Sequence, residues 1–152
     1  MGEPLRGKNN FPSPLRGEGR RKGVLRLLDA NLNRAREGLR VLEDTARFLW
    51  DDRRFFGRLR RCRHALDRAT RRAYPALVAS RDSVRDPGRR TAETRRRTAE
   101  GLVAANFRRA EEALRGLEEY GKVLSPGAAV RFKTIRFELY VLEKKAMGRA
   151  RR

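Results

Sequence analysis

Apolar residues recur along the chain at steps of three and four, the spacing of one helix face. Asn31, Ala35, Gly38, Leu42 and Leu49 make such a face, widened by Leu28, Leu32 and Phe48, and predict a helix from Val24 or Leu25 to about Asp51. Phe55, Leu59, Cys62, Leu66, Ala69 and Ala73 predict a second, from about Arg53 to Tyr74, with Pro75 as its stop. The segment from Ala79 to Arg90 is crowded with charge and broken by Pro87 and Gly88, so it reads as a loop. A third helix begins between Thr91 and Thr98 and runs to about Leu124 on Asn106, Ala110, Ala113, Leu117 and Leu124. Ser125 as N-cap and Pro126 at the first helical position then open a fourth, carried by Phe132, Ile135, Leu139, Leu142 and Ala146.

The pattern is used twice. Asn31 to Leu49 and Asn106 to Leu124 share the frame N-x-x-R-A-x-E-x-L-R-x-L-E, in which Asn31, Arg34, Glu37, Arg40 and Glu43 answer Asn106, Arg109, Glu112, Arg115 and Glu118. The repeat extends weakly into the helix that follows each copy: L-R-R-C-R-H-A-L from Leu59 resembles F-K-T-I-R-F-E-L from Phe132, aligning Arg60 with Lys133 and Arg63 with Arg136. The expected fold is therefore all-α, an antiparallel four-helix bundle built from two related helical hairpins with pseudo-two-fold symmetry. Arginines and glutamates step by three residues beside each packing stripe, so each copy carries a ridge of alternating charge. Packing the two copies together brings both ridges to one seam.

The 152 residues suffice for one domain, expected over 24–147, between a disordered basic lead at 1–23 and a basic tail at 148–152. A formal charge of +20 and a pI of about 11.6 raise nucleic acid, anionic membranes and phosphorylated small molecules as partners. Charge within the repeats is close to balanced, which counts against nucleic acid. The single cysteine, Cys62, cannot form an internal disulfide, and no Cys/His cluster suggests zinc, so a reducing cytoplasm is expected. No apolar run approaches the ~18 residues of a membrane span, and the lead lacks the apolar core of a signal peptide.

Phosphate-binding loops of the G-x-x-x-x-G-K-[ST] and G-x-G-x-x-G kinds are absent, as are the G-x-S-x-G elbow and the protein-kinase signatures. Any phosphate chemistry would use side chains of the bundle. Two readings of the seam are open: Asn31 and Asn106 fix helix register, or they hydrogen-bond a heterocycle or phosphate. The ridges are likewise either surface ion-pair ladders or arginines holding phosphate oxygens, with glutamates orienting them or ligating Mg²⁺. His64 is a phosphate donor, a general acid or a plain surface histidine. The loop at 79–90 is a crossover or a functional segment.

D-A-N-L-N-R-A-R-E-G-L-R-V-L-E-D from Asp29, R-H at Arg63 and His64, and R-D-S-V-R-D-P-G from Arg81 stand in that order, followed by A-N-F-R-R-A-E-E-A-L-R-G-L-E-E-Y from Ala105 and K-T-I-R-F-E-L-Y from Lys133. Over about Leu25 to Lys145 the chain resembles the monofunctional hydroxymethylpyrimidine phosphate kinases, small helical proteins often fused to thiamine phosphate synthase. The resemblance implies transfer of phosphate from ATP, with Mg²⁺, to 4-amino-5-hydroxymethyl-2-methylpyrimidine phosphate, and a synthase present as a separate chain.

On the matching positions, the chemistry of the side chains assigns Arg34, Arg109, His64 and Asp82 to catalysis. Asn31, Asn33, Arg40, Arg63, Arg81, Asn106, Arg115, Lys133 and Arg136 are assigned to substrate and phosphate, and Asp29, Glu37, Glu43, Asp86, Glu112 and Glu118 to Mg²⁺. The substrate itself receives the phosphoryl group, so many cationic donors and no protein nucleophile is the expected inventory. A basic nucleic-acid-binding bundle and a non-catalytic partner of the synthase are the alternatives.

Overall fold

A computed structural model describes residues 17–91 and 98–149. The helices are α1 (Glu18–Asp44), α2 (Arg53–Thr70), α3 (Tyr74–Ala79), α4 (Ala99–Leu124) and α5 (Pro126–Arg149). A π-helical turn, Thr45–Leu49, extends α1, and a 3-10 turn, Pro87–Arg90, lies in the connection to α4. Helix starts follow side-chain chemistry: Asp52 accepts from Phe55 N at 2.8 Å to cap α2, and Thr98 accepts from Gly101 N at 3.0 Å to cap α4. Ser125, one residue between α4 and α5, turns the chain with its carbonyl accepting from Ala128 N and Ala129 N.

Cross-helix contacts fix the directions. Glu43 meets Arg63 and Arg36 meets Asp67, so α1 and α2 run antiparallel. Glu118 meets Arg136 and Gly121 abuts Phe132, which makes α4 and α5 antiparallel in the same way. Asn31 lies against Gly116 and Gly38 against Ala110, so the two copies of the repeat pack antiparallel on each other. Arg58 on Glu138 and Arg149 on Asp52 close α2 onto α5. The long helices thus form the expected antiparallel bundle, with each hairpin packed through its first helix on the first helix of the other. Leu32, Leu39, Leu42, Leu59, Leu66, Phe107, Leu114, Leu117, Leu139 and Leu142 fill the centre, each no more than 1% exposed.

Several boundaries differ from the sequence expectation. Helix α1 begins at Glu18, so residues 18–23 are helical, while 1–16, 92–97 and 150–152, which hold most of the expected lead and tail, lie outside the described residues. The second helix stops at Thr70, and Pro75 opens the short α3 rather than ending a helix, because a proline in a first helical turn forfeits no hydrogen bond. Phe48 and Leu49, expected on the apolar face, are 68% and 69% exposed. The π turn is the cause: Trp50 N bonds Thr45 O at 3.1 Å, and this wider i to i−5 turn rotates the following residues off the core-facing register. Trp50 packs edge-on against Phe55 instead, with centroids 5.4 Å apart. Among the described residues no helix is long and apolar enough to cross a membrane.

Candidate functional site

The repeat frame assembles a seam between α1 and α4. Backbones approach closely there: a Cβ on Gly38 would lie 3.0 Å from the Asn106 carbonyl oxygen, and one on Gly116 would lie 3.1 Å from the Asn31 amide. Each asparagine is half-buried and ties one amide N–H to its own helix, Asn31 to Leu27 O and Asn106 to Leu102 O, both at 2.9 Å. One N–H anchors each side chain, and its amide oxygen is left to accept from elsewhere. Arg109 crosses the seam to Glu37 at 2.9 Å. Arg34 and Glu112, the pair related to these by the repeat, are exposed and have no ion-pair partner among the described residues. The seam therefore offers two asparagines, a surface Arg–Glu pair, and one arginine and one glutamate free to take a ligand.

Deeper in each hairpin the same frame builds a buried ion pair. Glu43, fully buried, accepts from Arg63 Nε at 2.5 Å and Nη2 at 3.1 Å. In the second copy Glu118 Oε2 accepts from Arg136 Nε at 3.1 Å and Nη2 at 2.6 Å. The hydrogen bond that each arginine donates to its glutamate comes first among the causes that raise the arginine's pKa. Arg40 reaches Glu43 and Asp44, and Arg115 reaches Glu118 and Glu119, in matching i, i+3 and i, i+4 contacts. In this arrangement Glu43, Glu118, Arg63 and Arg136 join helix to helix within each hairpin.

A third group forms where the connection after α3 returns to α1. Buried Asp29 receives Arg81 Nε at 2.7 Å and Nη2 at 3.0 Å, and Asn33 Nδ2 at 3.4 Å. The Asp29 hydrogen bond is the first cause of the raised Arg81 pKa. Arg26 donates to the Asp82 carbonyl at 3.3 Å. Burial pushes the Asp82 carboxyl up, but the Arg85 backbone N–H and the charges of Arg85 and Arg26 more than offset this and hold it below the usual range. Asp86 Oδ1 caps the 3-10 turn from Gly88 N at 2.8 Å. His64 is half-buried on α2, and Lys133 is exposed on α5 with its Nζ 6.0 Å from the Phe137 ring centroid.

The candidate residues thus fall into four places rather than one, the seam, a buried pair in each hairpin and the Arg81 group, with His64 and Lys133 apart from them. Among the described residues no three of His, Cys, Asp and Glu gather to hold a metal ion. Two features have no counterpart in the shared frame, which is why spacing did not reveal them. Glu111, where the first copy has Arg36, is 8% exposed with Oε1 unpartnered, and burial followed by the Glu143 charge raises its pKa to about 7. A cavity of ≈ 570 Å³ at one end of the bundle is lined by Arg68, Arg71, Arg72 and Arg131.

Fold and site together define a duplicated helical bundle with mirrored asparagine, arginine and glutamate ridges at the contact of its halves. The chain belongs to the ThiD2 family, whose model matches residues 26–145. It is similar to the thiamine-phosphate synthases of Nostoc punctiforme, 41% identical over 131 residues, and Rhodopirellula baltica, 42% identical over 133. These alignments cover 84% and 82% of the chain and 36% of each relative. The thiamine-phosphate synthase of a Synechococcus strain is 43% identical over 120 residues, 79% of the chain and 34% of the relative. The chain spans about a third of the length of these curated relatives. No solved structure matches it.

Proposed function

We propose that the chain phosphorylates 4-amino-5-hydroxymethyl-2-methylpyrimidine phosphate to the diphosphate at the expense of ATP, and that a thiamine-phosphate synthase consumes the product. The observation that carries this reading is the seam: antiparallel packing sets Arg109 on Glu37 between Asn31 at one end and Asn106 at the other, and the fold leaves Arg34 and Glu112 uncommitted. Membership of a family whose curated relatives are thiamine-phosphate synthases supports it. Arg34 and Arg109 bind phosphate oxygens and stabilise the charge that shifts during transfer. The amide oxygen of Asn31 accepts from the exocyclic amine of the pyrimidine.

Of the acidic candidates, Asp29, Glu43 and Glu118, all buried, are taken up by arginines and Asp86 by a cap, which leaves Glu112 and, in a surface pair with Arg109, Glu37. Mg²⁺ bound through nucleotide phosphates needs only one or two carboxylates, so Glu112, with Glu37 beside Arg109, suits it. The metal, when bound, neutralises phosphate charge. The substrate's own phosphate explains selectivity, because arginines left unpaired penalise an alcohol that lacks it.

ADP release by purified protein with MgATP tests the proposal. Turnover with the pyrimidine phosphate and none with the unphosphorylated alcohol is expected. A folded sample that releases no ADP with either would exclude it and favour a non-catalytic role beside the synthase.

A further inference from the structure

The seam accounts for one phosphorylated substrate and leaves open where the second, more highly charged one is held. A cavity of ≈ 570 Å³ lies where the end of α2 and the start of α5 meet, within the range of small-molecule sites. Arg68, Arg71, Arg72 and Arg131 line it, and among the described residues none has a carboxylate partner. Elsewhere Arg36, Arg58, Arg63, Arg81 and Arg136 each meet a carboxylate. Single surface arginines such as Arg34 do not, but only here do four line one hollow among the cavities described. Four unpaired guanidinium groups around one hollow repel each other, and a polyanion relieves that repulsion.

The floor has a different character. Leu77, Leu117 and Phe132 are each no more than 3% exposed and give the hollow an apolar base fit for a flat heterocycle. Gly127, in the first turn of α5, opens on the cavity, and a Cβ there would meet nothing within 4 Å. The cavity lies at the Asn31 end of the seam: Leu28 in its wall is one turn before Asn31, and Leu117 follows Gly116, on which Asn31 rests.

We propose that this cavity is the nucleoside triphosphate site, with the arginines on the phosphate chain and the apolar floor under the base. The assignment rests on the kinase reading, and it places the nucleotide next to the seam's first asparagine. A nucleoside triphosphate fits four cations better than the pyrimidine monophosphate does, which is why the two substrates are assigned to the cavity and the seam in that order.

Calorimetric titration of the full chain with ATP and, separately, with the pyrimidine phosphate tests the assignment, with turnover measured alongside. Two variants are used: Arg72→Ala with Arg131→Ala, and Gly127→Asp. The second adds a carboxylate at the mouth without a clash, and an acidic residue in a first helical turn favours folding. Both are expected to weaken ATP binding about tenfold or more, with affinity for the pyrimidine phosphate and the unfolding temperature held or, for Gly127→Asp, raised. Wild-type affinity for ATP in both variants overturns the assignment and leaves the kinase reading standing if the wild type turns over. Variant-sensitive ATP binding without wild-type turnover keeps the site and removes the kinase reading. A wild type that does not bind ATP overturns both.

Discussion

At the scale of single residues, charged groups that look alike in sequence divide by burial. Glu43 is 0% exposed and Arg63 holds it from another helix, so Glu43→Ala strands a half-buried cation. The expected loss is about 3 kcal/mol of folding stability, read from urea unfolding, with any loss of activity secondary to it. The glutamates of the frame were legible as a repeat. That Glu43 and Glu118 turn inward to Arg63 and Arg136 was not, since a partner on a second helix leaves no periodic signal in the first. The weak alignment of Arg63 with Arg136 was the only trace of that pairing. Asn31 and Asn106 were legible in place but open in role, and their bonds to Leu27 O and Leu102 O now show what anchors them.

Glu111 gives a pH dependence at the same scale. Its pKa is about 7 when folded against an ordinary 4.5, with burial first and then Glu143 and Glu112 disfavouring the charge, and Arg136 favouring it. The folded state therefore binds more protons across that window, and its stability is full below about pH 4.5 and falls as pH rises through 7. Glu111→Gln is expected to remove a decline on the order of a few kcal/mol between about pH 5 and pH 8. Equal slopes for wild type and variant in urea melts at the two pH values would refute it.

At the scale of elements, the long helices were legible because their apolar steps persist for many turns. What escaped was local geometry. A π turn changes the residues per turn within Thr45–Leu49, and no pattern built on regular helix can place Phe48 and Leu49 beyond it. Pro75 is ambiguous in the same way, since a proline ends one helix or starts another depending on which side the hydrogen bonds form. The contact of α1 with α4 depends on Gly38, where a Cβ would press the Asn106 carbonyl at 3.0 Å. Backbone cannot swing aside as a side chain does, so Gly38→Ala is expected to cost on the order of 1–3 kcal/mol. Thermal unfolding measures it, and a variant as stable as wild type would show that the helices separate without penalty.

At the scale of the whole molecule, the chain solves a charge problem by duplication. Each hairpin buries one Glu–Arg pair, and the two hairpins meet along the face where the frame leaves Arg34, Arg109, Glu37 and Glu112 at the surface. The interior charges hold each hairpin together, and at the seam Arg109 meets Glu37 while Arg34 and Glu112 have no ion-pair partner among the described residues. The net charge of +20 concealed this division, because a sum over the chain does not record which arginines are paired.

The most direct test is the turnover of Arg34→Ala and Arg109→Ala with MgATP and the pyrimidine phosphate, each beside its own thermal unfolding curve. Both substitutions are at exposed positions, so the account predicts unfolding within about 0.5 kcal/mol of wild type. It predicts at the same time a fall in kcat of about a hundredfold or more, as for loss of a transition-state charge contact. Wild-type turnover in both folded variants would contradict the claim that the seam is where phosphate is held.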